Sequence, residues 1–319
     1  MKFRLTLGAV AFFTATQVLG QSLNLNGAGS RQVLGGPHPT ERAPSGTATG
    51  GSGSLLPAST ARPSRQEGRN VNGCPGEMVR VNAFCIDRFE VATVDKQTQE
   101  PLSPYYPPNR LQLERSYNLW QIQAKVSGEP SARTMPLPDL PEWQRANPFS
   151  PQAVSRKGAV PQGYMTFYAA QEACENAEKR LCSKKEWTLA CKGEKNTLFP
   201  YGAKFERAAC NVFHYYHPAF LLHGSSAIGH TDPRLNLVLE QGKQPVLATT
   251  GSYTECASAW GKDRVYDMVG NLDEWVADGA FLGGFYARGT TKGCEAEVTN
   301  HSPRYYDYST GTRCCKDAK

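Results

Sequence analysis

The stretch KRLCSKKEWTLACKG, residues 179–193, carries more structural instruction than any other in this 319-residue chain. Ser183-Lys184-Lys185-Glu186 is a capping box: the serine hydroxyl and the glutamate carboxylate each accept from a backbone N–H that the first helical turn leaves free. Trp187, Ala190 and Cys191 follow at three- and four-residue spacing and face inward, and Gly193 ends the helix. Upstream, Thr166 caps a second expected helix, Phe167 to Glu178, whose inner face is Phe167, Ala170, Cys174 and Ala177. Cys174 and Cys191 therefore occupy buried helical positions. A thiol there packs rather than reacts, because thiolate chemistry needs an exposed, electropositive setting.

These two belong to a set of ten cysteines, all lying between Cys74 and Cys315. The N-terminus explains why so many are expected to be paired. Lys2 and Arg4 precede an apolar run from Leu5 to about Val18, too short to span a bilayer, and cleavage after Gly20 would place Val18 at the minus-three position. Residues 1–20 read as a signal peptide, with a retained anchor as the alternative; no cysteine follows for lipidation. The chain is then exported, periplasmic or secreted, and an even cysteine count in an oxidising compartment reads as a disulfide framework.

Residues 21–70 are rich in Gly, Ser, Pro, Thr and Ala, without hydrophobic periodicity, and read as a disordered linker. They share the chain's charge unevenly. Residues 1–70 hold seven of the 35 Lys/Arg and two of the 29 Asp/Glu, leaving 28 against 27 in the remainder. The folded part is near neutral, so the sequence pI of about 8.7 does not argue for nucleic acid, and no zinc-finger spacing or basic aromatic stripe appears.

Residues 71–319 are expected to form one domain, with all five tryptophans and a loop-rich composition that needs covalent support. Its first unit, CPGEMVRVNAFCIDRFEV (74–91), predicts strands Met78 to Val81 and Phe84 to Val91 around Asn82-Ala83, with Cys74 and Cys85 flanking the turn. A bridge between them would pin this edge; a free pair is the weaker alternative. The stretch onward to about Pro161 is proline-rich and predicts an irregular excursion with one short helix near Leu111 to Gln123.

Three segments in order, KRLCSKKEWTLACKG (179–193), FPYG (199–202) and YDMVGNLDEWV (266–276), resemble the formylglycine-generating enzyme, or sulfatase-modifying factor, family. That family typically shows a Gly-Lys-Arg-Leu-Pro-Thr-Glu-x-Glu-Trp-Glu run, then Tyr-Pro-Trp-Gly, then Asp-Met-x-Gly-Asn-Val-x-Glu-Trp. The resemblance covers about Glu77 to Cys315 and implies an irregular α+β domain distantly related to the C-type-lectin-like fold. Each motif also has a plain reading: Gly270-Asn271 is a tight turn, and Asp267, Glu274 and Trp275 can lock the surrounding loops.

In the family's enzymes, two cysteines after an Arg-Gly-Gly-Ser-type strand bind copper(I), and oxygen converts a sulfatase cysteine into formylglycine. The corresponding strand here is Ala287 to Cys294. Only Cys294 follows, and the residue five positions on is Thr299, whereas copper(I) is selected by soft thiolates in pairs. The resemblance implies instead that Cys174 pairs with Cys314 and Cys191 with Cys294. Two cysteines depart from the family pattern, Cys182 and Cys315, and are expected to pair with each other. Cys210–Cys256 and Cys74–Cys85 complete a five-bridge set. Two functions follow: a disulfide-stabilised binding or structural module, or a copper-dependent oxidase working through Cys294.

For a metal, the resemblance points to calcium at Asn211 and Val212, through loop oxygens suited to a hard cation; an ordinary turn role for Asn211 is the alternative. His214, Tyr215, Tyr216 and His217 form a local cluster readable as a metal pair, a contact surface or a packed loop. Tyr305, Tyr306 and Tyr308, beside Arg304 and Asp307, form a binding patch if exposed and core if buried. Asn300-His301-Ser302 is a glycosylation sequon. No hydrolase elbow, phosphate-cradling loop or dinucleotide fingerprint is present. Loops 95–160 and 211–245 are the expected surface for a protein or glycan partner.

Overall fold

Short strands and well-capped helices alternate with long turns along the described residues of the computed structural model, 73–212, 217–240, 244–288 and 290–319. The expected signal peptide and linker, together with His214, Tyr215, Tyr216 and Gly289, lie outside them. In chain order the elements are β1 (Met78–Val81), β2 (Phe84–Asp87), β3 (Val91–Asp95), α1 (Arg110–Val126), α2 (Pro130–Thr134), α3 (Glu142–Ala146), β4 (Pro151–Ser155), α4 (Phe167–Asn176), β5 (Arg180–Leu181) and α5 (Lys184–Lys192). They continue as α6 (Pro218–His223), β6 (Leu239–Glu240), β7 (Gln244–Pro245), β8 (Ala257–Trp260), β9 (Asp263–Tyr266), β10 (Asp273–Trp275), β11 (Phe281–Leu282), β12 (Glu297–Val298), β13 (Thr310–Thr312) and β14 (Cys314–Asp317). The result is an α+β fold dominated by irregular connections.

The caps act as the sequence dictates. Ser183 and Glu186 form the complete capping box of α5, and Thr166 Oγ1 accepts from Ala169 N at the start of α4. Other boundaries moved. The strand expected from Phe84 to Val91 is two strands, because Arg88 N–H returns to Glu77 O and Phe89 N–H to Ser155 Oγ. The second piece, β3, then pairs with β4 over five residues, Val91 with Ser155 to Asp95 with Pro151. The proline-rich excursion is thus tied back by a strand that periodicity did not reveal. Its helix α1 is longer than expected, since Asn109, just after Pro107-Pro108, caps it by accepting from Gln112 N.

Two four-stranded sheets organise the rest, in orders β1-β2-β14-β5 and β12-β11-β10-β13. The chain passes from the second to the first at Arg313, between β13 and β14. Arg313 is fully buried, and its Nε and Nη2 donate to Glu274 Oε2 and Oε1 at 2.7 and 2.6 Å. Further donations reach Asp87 O and Tyr266 O, while Trp187 Nε1 donates to Glu274 Oε2 at 2.7 Å. A buried guanidinium is tolerable only with its charge matched and its donors occupied, and here they are.

Five disulfides surround this junction: Cys74–Cys85, Cys174–Cys314, Cys182–Cys315, Cys191–Cys294 and Cys210–Cys256. Successive residues of a strand point to opposite faces, which is why adjacent Cys314 and Cys315 on β14 serve different cores. Cys314 lies in the cluster with Cys174, Trp275 and Phe281; Cys315 lies in that of Cys182, Trp187 and Val265. Three bridges close loops of more than 100 residues, each contributing on the order of 5 kcal/mol in the chain-entropy model.

The excursion is held by a second buried arginine that lies outside it in the chain. Arg234 pairs with Asp232, both fully buried, at 2.7 Å, and its Nη1 donates to the carbonyl of Ala132, with Met135 O at 3.3 Å. Tyr164 Oη donates to Asp232 O at 2.6 Å, and His223 Nε2 lies 3.1 Å from Asp232 Oδ2. α2 and the chain after it are held through these carbonyls.

Candidate functional site

The described residues between Ala287 and Cys294 form no strand, contrary to expectation, and end in a single 3-10 turn, Gly293–Glu295. Cys294 sits in that turn, 1 % exposed, and is bonded to Cys191 of α5. All ten cysteines lie within the described residues and none is free. Copper(I) asks for paired soft thiolates, so the residues present do not fit it. Thr299 is exposed.

Asn211 is buried against the Gly270-Asn271 turn. Its Nδ2 donates to Val246 O and Asn271 Oδ1, and its carbonyl accepts from Asn271 N–H at 2.9 Å. Gly270 adopts φ 82°, and a Cβ there would stand 2.2 Å from Asn211 O, so the turn needs glycine. A cation at Asn211 and Val212 that used the Asn211 carbonyl would have to share it with Asn271 N–H. Among the described residues no group of three or more His, Cys, Asp or Glu is placed to hold a metal ion.

The motif carboxylates form a buried network. Glu90 accepts from Asn271 Nδ2 and Leu272 N–H, and Asp267 Oδ2 accepts from Gly251 N–H at 2.7 Å. With only Arg313 to balance Glu90, Asp267 and Glu274, burial raises the Glu90 carboxyl well above its ordinary range and pushes Asp267 up to about 7. Asp273 is likewise pushed to about 7 by burial, against the pull of its ion pair with Arg288. These motif side chains are all buried, and their hydrogen bonds tie together the loops that surround β10.

His217 caps α6 through Nδ1, which accepts from Ala219 N–H, and its Nε2 lies 2.8 Å from Tyr308 Oη. Both ring nitrogens are occupied, so the ring serves packing. Burial, reinforced by nearby His230, lowers its pKa. The three tyrosines divide. Tyr308 is core, while Tyr305, donating to Asp307 Oδ2 at 2.5 Å, and Tyr306 are half-buried. Asn300 of the sequon is exposed.

Tyr306 lines a cleft of about 390 Å³ with Asn109, Gln112 and Arg115 of the α1 start, Tyr168 and Glu172 of α4, and Arg304. The first turns of two helices converge on it, as the capping roles of Asn109 and Thr166 require, and helix N-termini favour negative charge. Neither Arg115 nor Arg304 has an ion pair among the described residues. Tyr168 is 54 % exposed. Gln112 Oε1 is buried without a partner, and burial, with Glu175 nearby, raises the Glu172 carboxyl. Aromatic faces, two guanidinia beside the Glu172 carboxyl, and the unmet acceptor Gln112 Oε1 together suit a polar ligand that carries both an anionic group and a hydrogen-bond donor. A larger depression of about 610 Å³ near Trp260 carries balanced charges, Arg80 and Lys262 with Glu194 and Asp263, and Asp263 already pairs with Arg88. The sequence signalled Arg304 and Tyr306 but not Arg115, Tyr168 or Glu172; the only available clue was the two helix caps, far apart in the chain.

The family model of the sulfatase-modifying factor enzyme 1-like domain matches residues 44–299. The comparison with curated proteins returns no match. Among solved structures the chain is similar to CarF, at 15% identity, covering 74% of this chain and 87% of that one with a TM-score of 0.32. It is also similar to PvdO from Pseudomonas aeruginosa, at 14% identity, 73% and 94% coverage and a TM-score of 0.32. A third, the Major Tropism Determinant U1 variant, shares 14% identity over 79% of this chain and 55% of its own, at 0.31. Such distant likenesses carry no argument about function. On the family match, which spans most of its length, the chain belongs to the sulfatase-modifying factor family, in its enzyme 1-like domain.

Proposed function

We propose that this family member acts as an exported, disulfide-supported binding module rather than as a copper-dependent formylglycine-generating oxidase. One observation carries the reading: Cys294, the cysteine in the family's catalytic stretch, is buried in a bridge to Cys191. Five disulfides suit an oxidising periplasmic or extracellular compartment, and no helix among the described residues is long and apolar enough to cross a membrane. The ligand surface is the cleft between α1, α4 and Arg304–Tyr306, whose chemistry favours an acidic glycan, with an acidic protein segment as the other candidate.

The test has two arms. The purified protein is incubated with copper(I), oxygen and a Cys-x-Pro-x-Arg peptide, and the aldehyde is sought by mass. No aldehyde is expected; oxidation that disappears in Cys294→Ser while the fold persists would overturn the reading. In the second arm, sulfated and uronate oligosaccharides and acidic peptides are titrated against wild type and against Arg115→Ala/Arg304→Ala. Binding that the double substitution weakens by about tenfold or more, roughly 1.4 kcal/mol, is the expected outcome.

A further inference from the structure

Two hairpin turns and the end of one helix enclose the depression of about 610 Å³ around Trp260. Asn82 stands in the β1–β2 turn with φ 50°, Gly261 in the β8–β9 turn with φ 58°, and Gly193 and Asn196 follow α5 with φ 64° and 49°. Positive φ suits Gly and Asn, so each turn takes a tight form that its residues adopt without strain. Glu194 ties two of them together: its N–H donates to Ala259 O at 3.2 Å, and its Oε1 accepts from Gly261 N–H at 3.0 Å. A Cβ on Gly261 would meet no atom within 4 Å, so that rim is open. The volume falls within the roughly 300–1,000 Å³ of small-molecule sites, and a wall already fixed by such bonds costs little further ordering on binding.

Trp260 is half-buried against the main core, and its Nε1 donates inward to Ala190 O at 3.1 Å. With the indole's single donor spent, the ring offers a ligand carbon and π surface, extended by Leu189 at 37 % exposure. The polar wall differs in kind. Asn82 and Asn196, both exposed, carry amides that donate and accept. Arg80 and Lys262 balance Glu194 and Asp263; Asp263 already pairs with Arg88, and Arg80 Nε donates to Asn82 O at 3.1 Å. An anionic ligand finds no excess of cations here, nor a cationic ligand an excess of anions. The two walls together match a molecule with an apolar face and an uncharged rim that both donates and accepts. A sugar ring, with C–H bonds on its faces and hydroxyls around its edge, has that construction.

We infer that this depression is a binding site for uncharged pyranose rings, stacked on Trp260 and held at their edges by Asn82 and Asn196. It shares no lining residue with the cleft at Arg115 and Arg304, so it stands or falls separately from the acidic ligand proposed there. Titration of the full chain with neutral tetrasaccharides of glucose, mannose and N-acetylglucosamine tests this, read by NMR at the Gly261 amide, with far-UV circular dichroism confirming the fold of each variant. At least one sugar should bind saturably, with a Kd of about 1 mM or tighter. Trp260→Ala should raise that Kd by about tenfold or more, whereas Trp260→Phe, which keeps a ring, should stay within about threefold. Because Trp260 also packs on the core, Asn82→Gly/Asn196→Gly supplies a second test on exposed positions. Glycine accepts the positive φ of both turns, so the fold should persist while Kd rises by about fivefold or more. If no tetrasaccharide shifts the Gly261 amide up to about 10 mM, the proposal is overturned. Affinity unchanged in Trp260→Ala or in the double asparagine variant overturns it equally, as does a uronate tetrasaccharide that shifts this amide more strongly than its neutral counterpart.

Discussion

The two buried arginines divide the molecule into regions built on different principles. Arg313 and Glu274 sit where the two sheets meet, inside a frame that five disulfides close. Arg234 and Asp232 hold the excursion, in which no cysteine occurs between Cys85 and Cys174. There the chain relies on directed hydrogen bonds: Arg234 to carbonyls near α2, Ser103 N–H to Gln144 Oε1, and Tyr106 Oη to Pro138 O. One region is fixed by reducing the freedom of the unfolded chain, the other by satisfying buried polar groups, and they should fail under different conditions.

Reduction is the strongest way to separate them. With the bridges contributing roughly 2–5 kcal/mol each against a net stability of about 5–15 kcal/mol, full reduction in native buffer should abolish the near-ultraviolet dichroism of the frame's tryptophans. A reduced protein that keeps this signal would show that the disulfides are incidental.

The next largest effect concerns the arginines themselves. Arg313→Met and Arg234→Met each strand a buried carboxylate, at a cost of about 3–5 kcal/mol. Hydrogen exchange should show the first loss spread through both sheets and the second confined to residues about 96–150. Global exchange in Arg234→Met would erase the distinction.

The regions also differ in sign with pH. Asp267 and Asp273 have folded-state values near 7, raised from 3.8 by burial, so their contribution is complete below about pH 4 and is lost as pH rises through 7. Burial alone would raise Asp232 too, but hydrogen bonds from His223 and Arg234 hold it below its ordinary value. Its contribution is present above 3.8 and is lost on further acidification. The melting temperature should therefore peak in mildly acidic buffer and decline toward pH 8, and Asp267→Asn should flatten that decline. A protein most stable at pH 8 would contradict the assignment.

The mildest test is Tyr168→Ala, an exposed change expected to shift stability by less than about 0.5 kcal/mol while weakening ligand binding in the cleft. Loss of stability without loss of binding would move Tyr168 into the scaffold.

The frame was far more legible than the excursion, and the reason is physical. Local rules announce the frame: the Ser183–Glu186 box, the inward spacing of Trp187 and Cys191, and the Gly270-Asn271 turn all act within a few residues. The family resemblance then supplied partners for Cys174 and Cys191, which spacing alone could not. The excursion depends on contacts without local signature. Nothing around Gln144 says that its amide will meet Ser103, and nothing around Arg234 says that it will reach Ala132, 102 residues away. β4 was missed because its strand is defined only by β3. The cleft suffers the same difficulty, since its side chains come from three elements that the fold alone brings together.

The placement of Cys314 and Cys315 on one strand has a consequence for biogenesis. Their partners, Cys174 and Cys182, precede them by 140 and 133 residues. If the bridges form as the chain emerges from its N-terminal end, Cys174 and Cys182 are present long before β14, only eight residues from each other and followed closely by Cys191. The pairings available first are wrong ones. Correct assembly then requires those early bonds to be reopened, so the yield of native protein should depend on disulfide isomerase activity rather than on oxidising power alone.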